Sequence, residues 1–147
     1  MTYSKKAAGR FTVASWKEDV FADIDGRGAT TEGGAYYPER GLSHAAVSYT
    51  YSGQISGTSE LAYLIVYRPD GAPVAGYERF VGSIDGHEGS CVFEHRGAHD
   101  ATSVTARVTV VPGLGTGALA NLRGEADVAI AGHGEDGYEF VLHYDLG

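Results

Sequence analysis

The sequence predicts a single all-β domain, an antiparallel up-and-down β-barrel of about eight strands. Apolar and polar residues alternate in many short segments, turns containing glycine or aspartate separate these segments at hairpin spacing, and no segment of useful length has a helical period. The clearest strand covers residues 102–111, where valines and an alanine alternate with threonines and an arginine. A meander of such strands must close or fold over to remove its edges. A barrel of this size holds packed side chains or one small ligand.

The composition is that of an acidic chain the size of one domain. It has 147 residues and a net charge of −8, and its lysines and arginines are scattered, so we expect no nucleic-acid partner. No apolar run approaches the length of a membrane span, so we expect no membrane partner. Cys91 is the only cysteine, which excludes an intrachain disulfide and favours the cytoplasm. We expect residues 1–8 to form a flexible N-terminus and residues 9–147 to form the barrel.

A β-hairpin is predicted at residues 77–100, near the middle of the domain. Two strand-like runs flank the turn dipeptide Asp85-Gly86. In the second run Phe93 and His95 share a face, because side chains alternate with a period of two, and the presence of Phe93 predicts that this face is buried. The other predicted strands cover residues 10–16, 20–25, 42–52, 57–68, 102–111, 125–130 and 138–146.

The strand at residues 57–68 is unusual because both of its faces are apolar. A strand with one wet face does not need this pattern. We expect one face to line the core and the other to be covered by a loop or by a second subunit, which predicts a homo-oligomer, namely a dimer. One face carries Glu60, Ala62, Leu64 and Val66, and the other carries Leu61, Tyr63, Ile65 and Tyr67.

Residues 26–41 form a long, glycine-rich connection without periodicity, and Tyr36 and Tyr37 lie towards its end. A connection of this length in a compact domain is either a lid or binding loop, or a surface insertion. The sequence leaves both interpretations open.

Four segments resemble a bacterial family of domains of unknown function: ERFVG at residues 78–82, GSCVFEHRG at 89–97, PGLGTGALANLRG at 112–124 and the closing YEFVLHYD. The resemblance extends from about Gly9 to the end of the chain. It implies a barrel similar to allene oxide cyclase, a shape shared with dirigent proteins and some polyketide cyclases. Members of the family run from the second short strand almost directly into the next, whereas this chain carries residues 26–41. The resemblance implies a fold but no settled activity.

The candidate catalytic residues are ionisable groups inside predicted strands, namely Glu60, Glu78 and His95. A carboxyl group held in an apolar cavity beside a histidine can exchange a proton with it, which is the basis of general acid–base catalysis. The alternatives are a structural pair inside the core, or glutamates that face outward because a bulge shifts the strand phase. The candidate substrate-binding residues are Tyr63, Tyr67, Phe93, Tyr36 and Tyr37, of which Tyr63 or Tyr67 would bind a developing oxyanion.

Other chemistries have weaker support in the sequence. His95 and His99 lie roughly 13 Å apart along an extended strand, too far for one ion to bridge, so no metal site is predicted. The glycines of residues 113–117 lack the spacing and the lysine of a phosphate-binding loop. Cys91 shares the buried face of Phe93, where a free cysteine behaves as a small apolar residue. We predict no cofactor.

Two functions therefore stand against each other. The first is a cofactor-independent cyclase or isomerase that acts on an apolar, polyketide-like or lipid-like molecule inside the barrel, as the resemblance implies. The second is a non-catalytic barrel that carries or senses a small molecule. The absence of a recognised catalytic set favours the second, whereas His95 beside a glutamate favours the first.

Overall fold

The computed structural model describes residues 3–30, 34–99, 103–131 and 137–147. Within these residues the chain forms β-strands and turns and contains no α-helix. This part of the chain thus has no helix that could cross a membrane. The strands are β1 (Lys5–Asp23), β2 (Gly28–Thr30), β3 (Tyr36–Pro38), β4 (Gly41–Gly53), β5 (Ile55–Tyr67), β6 (Ala72–Ile84), β7 (His87–His99), β8 (Ser103–Val110), β9 (Thr116–Gly117), β10 (Arg123–Ala131) and β11 (Tyr138–Asp145).

Eight strands close into an antiparallel barrel, as the sequence predicted. Their order is β1, β4, β5, β6, β7, β8, β10 and β11, and β11 pairs with β1 to complete the circle. Nearly every strand therefore pairs with its neighbour in the sequence, which is the up-and-down arrangement. The short strand β9 lies beside β7 as an additional strand.

The central hairpin is confirmed as β6 and β7, joined at Asp85 and Gly86. Both turn residues have positive φ angles, 50° for Asp85 and 82° for Gly86. This is the conformation that a two-residue hairpin of type I′ requires, and glycine adopts it at little cost. Phe93 and His95 lie on the buried face of β7, as predicted.

β1 is one strand of 19 residues, where the sequence predicted two short strands. Its pairing with β4 is interrupted between Val13 and Ser15 and again between Val20 and Ala22. Each such bulge shifts the alternation of side chains, so no single period of two runs through the whole of β1. The strand also includes residues 5–8, which pair with β11 although they were predicted to belong to a flexible N-terminus.

The connection at residues 26–41 contains a two-stranded ribbon formed by β2 and β3. Its Tyr36 hydroxyl donates to Oδ2 of Asp23 at 2.5 Å, and the ring of Tyr37 packs against Tyr67 at 5.7 Å between centroids. The ribbon therefore contacts the end of the barrel where β1 and β5 finish. We call this end the ribbon end.

Aromatic side chains fill the centre of the barrel. Phe93 is fully buried and packs against Phe80 and Phe140, at 6.3 and 5.7 Å between ring centroids. Leu119 and Leu122, from the turns after β9, are also buried and belong to the same core. The outer face of β5 is different, because Leu64 is 55% exposed. The second apolar face of this strand thus points away from the core, and the predicted dimer stays a prediction.

Replacing Phe93 by alanine is expected to lower the free energy of unfolding by about 3–5 kcal/mol, because it leaves a cavity in the aromatic core. Val81→Ala is the control, since Val81 lies on the outer face of β6 and is 46% exposed; its effect should stay below about 1 kcal/mol. Urea denaturation followed by tryptophan fluorescence measures both values. Equal effects of the two substitutions would contradict this assignment of the core.

Candidate functional site

Inside the barrel, a buried contact between a histidine and a glutamate joins the two central strands, β6 and β7. Nε2 of His95 on β7 lies 2.7 Å from Oε1 of Glu78 on β6. The exposed fraction is 5% for the side chain of His95 and 0% for that of Glu78. The antiparallel register places Gly76 opposite His95 and Phe93 opposite Glu78, so the two polar side chains are diagonal neighbours on the inner face.

The second oxygen of Glu78 is bound by two hydroxyl groups from neighbouring strands. Tyr51 on β4 donates to Oε2 at 2.6 Å, and Ser59 on β5 donates to the same atom. A carboxylate can accept all of these bonds, so Nε2 of His95 is assigned as the donor to Oε1. Among the described residues, no buried polar side-chain atom lacks a hydrogen-bond partner. Glu78 is therefore held by side chains from three other strands.

The hydrogen-bond chain continues from His95 to two tyrosines. Its Nδ1 lies 3.3 Å from the hydroxyl of Tyr63, which lies 3.2 Å from the hydroxyl of Tyr49. Because Nε2 donates to Glu78, Nδ1 is left to accept a proton. We call Glu78, His95 and Tyr63 the relay. Its arrangement resembles a carboxylate that orients a histidine base in an acid–base site.

The space beside the relay is small. A cavity of about 20 Å³ lies between Tyr63 and His95 on one side and Phe11 and Phe140 on the other. That is room for about one water molecule, whereas pockets for drug-sized ligands have volumes of several hundred Å³. The barrel interior is therefore filled mainly by its own side chains.

The protonated forms of the neighbouring hydroxyl and thiol groups are favoured inside the barrel. Burial raises the pKa of Tyr49, Tyr51 and Tyr63 above the usual value, and the negative charge of Glu78 raises it further. Burial, with a smaller effect of Glu78, also raises the pKa of Cys91 to about 12. At neutral pH Cys91 is therefore a thiol and a poor nucleophile.

Of the two predicted glutamates, only Glu78 meets His95. Glu60 is exposed on the outer wall and lies opposite Arg79 in the β5–β6 register, which corrects its prediction as a catalytic residue. It does share a face with Ala62 and Leu64, but that face is the outer one. Since β5 is apolar on both sides, its sequence pattern could not show which side lies inward.

The predicted substrate-binding residues lie in three different places. Tyr63 belongs to the relay and lines the cavity. Phe93 is completely buried in the aromatic core and does not border that cavity. Tyr67 and Tyr37 lie together at the ribbon end, whereas Tyr36 binds Asp23 and is 39% exposed.

Sequence reasoning missed Glu18, which lies on the inner side of β1. The hydroxyls of Tyr67 and Ser43 donate to its Oε2, the latter at 2.5 Å, and the indole Nε1 of Trp16 donates to Oε1 at 3.2 Å. The spacing of Trp16 and Glu18, two residues apart in an extended segment, places them on one face. That signal was present in the sequence, but the predicted strand ended at Trp16.

The relay's partners Tyr51 and Ser59 were also missed, although in the structure both share the strand parity of buried neighbours. Tyr51 follows the buried residues of β4 at intervals of two, and Ser59 precedes Leu61 by two positions. Because the sequence contains many tyrosines and serines, neither residue could be distinguished as a partner of Glu78.

Comparison with known proteins identifies the family. A family model described as "Protein of unknown function (DUF3224)" matches residues 7–142. The chain belongs to the DUF3224 family. A DUF3224 protein of unknown function from Shewanella oneidensis MR-1 has a crystal structure similar to this chain, with a TM-score of 0.69, 22% sequence identity and coverage of 96% of each chain. The predicted bacterial family of unknown function and the predicted barrel are thus confirmed. No curated protein sequence matches the chain.

The raised pKa values of Tyr49, Tyr51 and Tyr63 predict how this DUF3224 protein responds to alkali. A raised pKa in the folded state contributes stability that is fully present below the unfolded value of about 10 and is lost as the pH rises above it. Tyrosinate absorbance and circular dichroism, followed together, should show that part of the tyrosine ionisation occurs only with unfolding. Complete ionisation of all tyrosines in the folded protein would contradict the buried hydrogen-bond chain.

Proposed function

We propose that this protein is a cofactor-independent isomerase or cyclase that acts in the cytoplasm on an apolar, polyketide-like or lipid-like molecule. The observation that carries the proposal is the buried relay, in which His95 is bound to Glu78 through Nε2 and faces Tyr63 and the cavity through Nδ1. The resemblance to cyclase-type barrels implies the reaction class, and the relay supplies a chemical means.

The proposed chemistry is the movement of a proton. Nδ1 of His95 takes a proton from an acidic carbon of the substrate, and the Glu78 carboxylate stabilises the resulting imidazolium. The hydroxyl of Tyr63, whose raised pKa keeps it protonated, donates a hydrogen bond to the developing oxyanion. Return of the proton to a different atom completes an isomerisation and requires no oxidant or metal. Because the site is buried, these interactions are stronger than they would be in water.

The substrate in this proposal binds at the ribbon end and does not fill the barrel, because the inner cavity holds only about 20 Å³. Trp16 is 47% exposed, and its ring lies 6.2 Å from that of Tyr63. A flat apolar molecule that packs on Trp16 is therefore separated from the relay by no more than the Trp16 ring. Only the reacting group of the substrate has to reach Tyr63 and His95.

The alternative proposal is a carrier or sensor that performs no reaction. The observation in its favour is that every buried polar side-chain atom of the described residues already has a partner, as expected of a structural network. In that case a ligand raises the melting temperature but is recovered unchanged.

A small β,γ-unsaturated ketone, cyclohex-3-enone, distinguishes the two proposals. Conversion to the conjugated ketone moves one proton from the α to the γ carbon and is followed by ultraviolet absorbance. We expect catalysis by the native protein and a decrease of roughly 10² to 10⁴-fold in His95→Gln. Glu60→Gln is the matched control, because Glu60 lies on the outer wall, and it should retain the full rate. Equal rates for the native protein and His95→Gln would contradict the catalytic proposal.

We also propose a homodimer formed through the outer wall at β5 and β6. Leu64 is 55% exposed and Tyr77 is 56% exposed there, and an apolar patch of this kind favours association. Light scattering at micromolar concentration should give twice the mass of one chain for the native protein and the mass of one chain for Leu64→Lys. Val13→Lys, at a residue 43% exposed on β1, should remain dimeric. A native protein with the mass of one chain would exclude the dimer.

A further inference from the structure

A second carboxylate on the inner side of the barrel wall, that of Glu18, takes no part in the relay. Glu18 is only partly exposed, yet the side chains that donate hydrogen bonds to its carboxylate, those of Trp16, Ser43 and Tyr67, are all neutral. None of the ion pairs formed within the described ranges includes it. Neutral donors satisfy the hydrogen-bonding capacity of a carboxylate but do not balance its charge. A partly desolvated carboxylate in this state attracts a cation strongly.

Aromatic rings surround this carboxylate on two sides. Trp16 and Tyr67 both donate to Glu18, and each ring packs on a further tyrosine, Trp16 on Tyr63 at 6.2 Å and Tyr67 on Tyr37 at 5.7 Å. The faces of aromatic rings carry partial negative charge and attract ammonium groups within about 6 Å of the ring centre. Two pairs of rings and one carboxylate therefore lie together, and a ligand at Glu18 that also reaches a ring face would gain from both.

We propose that Trp16, Glu18 and Tyr67 form a binding site for the ammonium group of an organic cation. This inference deepens the proposed function, because it adds an ammonium group to the apolar substrate. Binding of the ammonium does not depend on the proposed reaction, whereas the role of the bound molecule as a substrate rests on it. The occupant is a ligand in which an alkylated or aryl-bearing ammonium is joined to an apolar body.

The residues present distinguish this ligand from a metal ion. Ca²⁺ and Mg²⁺ require several oxygen ligands, whereas this site offers one carboxylate surrounded by rings and hydroxyl groups that already donate to it. A weakly hydrated organic ammonium gains from both the carboxylate and the ring faces. The negative potential also extends over the tyrosines, since Glu18 contributes, after burial, to the raised pKa of Tyr37 and Tyr67.

Tyr63 connects this site with the relay. Its ring contacts Trp16, and its hydroxyl contacts Nδ1 of His95. A cation held at Glu18 would therefore place the apolar body of the same molecule over Tyr63, with its reacting group towards His95. The ammonium site then acts as an anchor that fixes the substrate in one orientation.

Trp16 is the only tryptophan of the chain, so its fluorescence reports directly on this site. The probes are choline and 3,3-dimethylbutan-1-ol, which has the same shape without the charge. We expect saturable binding of choline, at least about tenfold tighter than binding of the neutral alcohol, because only choline gains the ion pair and the cation–ring contacts. Equal affinities for the two probes, or no saturable response to choline, would overturn the proposal.

Variants separate the local site from the general charge of the protein. Glu18→Gln should abolish the preference for choline, whereas Glu60→Gln, which removes the same charge from the outer wall, should leave it intact. If Glu18→Gln fails to fold, Tyr67→Leu, which removes one ring and one donor, should weaken choline binding and leave the alcohol unchanged. Equal losses in Glu18→Gln and Glu60→Gln would contradict a local site.

The relay variant distinguishes this inference from the proposed function. His95→Gln should bind choline with the native affinity while it loses the isomerisation of cyclohex-3-enone. Choline binding without any isomerisation would contradict the catalytic proposal and support the ammonium site. Isomerisation by a protein that does not discriminate choline from the alcohol would support catalysis and overturn the ammonium site.

Discussion

The structure depends on the burial of one carboxyl group. Glu78 has no exposed surface, and burying an unpaired charge costs several kcal/mol. The fold offsets this cost by bringing Tyr51, Ser59 and His95 to its two oxygens from three other strands. A slip of any of these strands by one residue would turn its donor to the outer wall. The hydrogen bonds of Glu78 therefore specify the register of four adjacent strands, in addition to what the apolar side chains specify.

The aromatic core determines the properties of this group. Phe80 and Phe93 lie on the same two strands as Glu78 and His95 and are fully buried, so little water reaches the pair. A dry surround strengthens the hydrogen bonds of the relay and also keeps Tyr63 and Cys91 in their protonated forms. The same rings occupy most of the volume, which explains why so little space is left beside His95. The core thus makes the relay chemically distinct and, at the same time, leaves no room for a larger ligand beside it.

The parts of the structure that local pattern determines were predictable from the sequence. The central hairpin follows from its turn dipeptide, and the inward positions of Glu78 and His95 follow from their spacing to Phe80 and Phe93. The position of Glu60 was not predictable, because apolar residues on both faces of β5 give no phase. The contacts of Tyr51, Ser59 and His95 with one carboxylate depend on pairings between strands, which the periodicity of a single strand does not contain. The sequence therefore predicted that Glu78 and His95 face inward, but it did not predict the other side chains that bind Glu78.

The bulge between Val13 and Ser15 in β1 determines which residues of the second polar site face inward. Before it, the inward residues have odd numbers, as Ala7 and Phe11 are buried; after it, Trp16 and Glu18 pair with Val47 and Ala45 on the inner face. Without the bulge the alternation would bring Lys17 inward and turn Glu18 out. One inserted residue thus places a carboxylate, instead of the lysine ammonium, next to Tyr67.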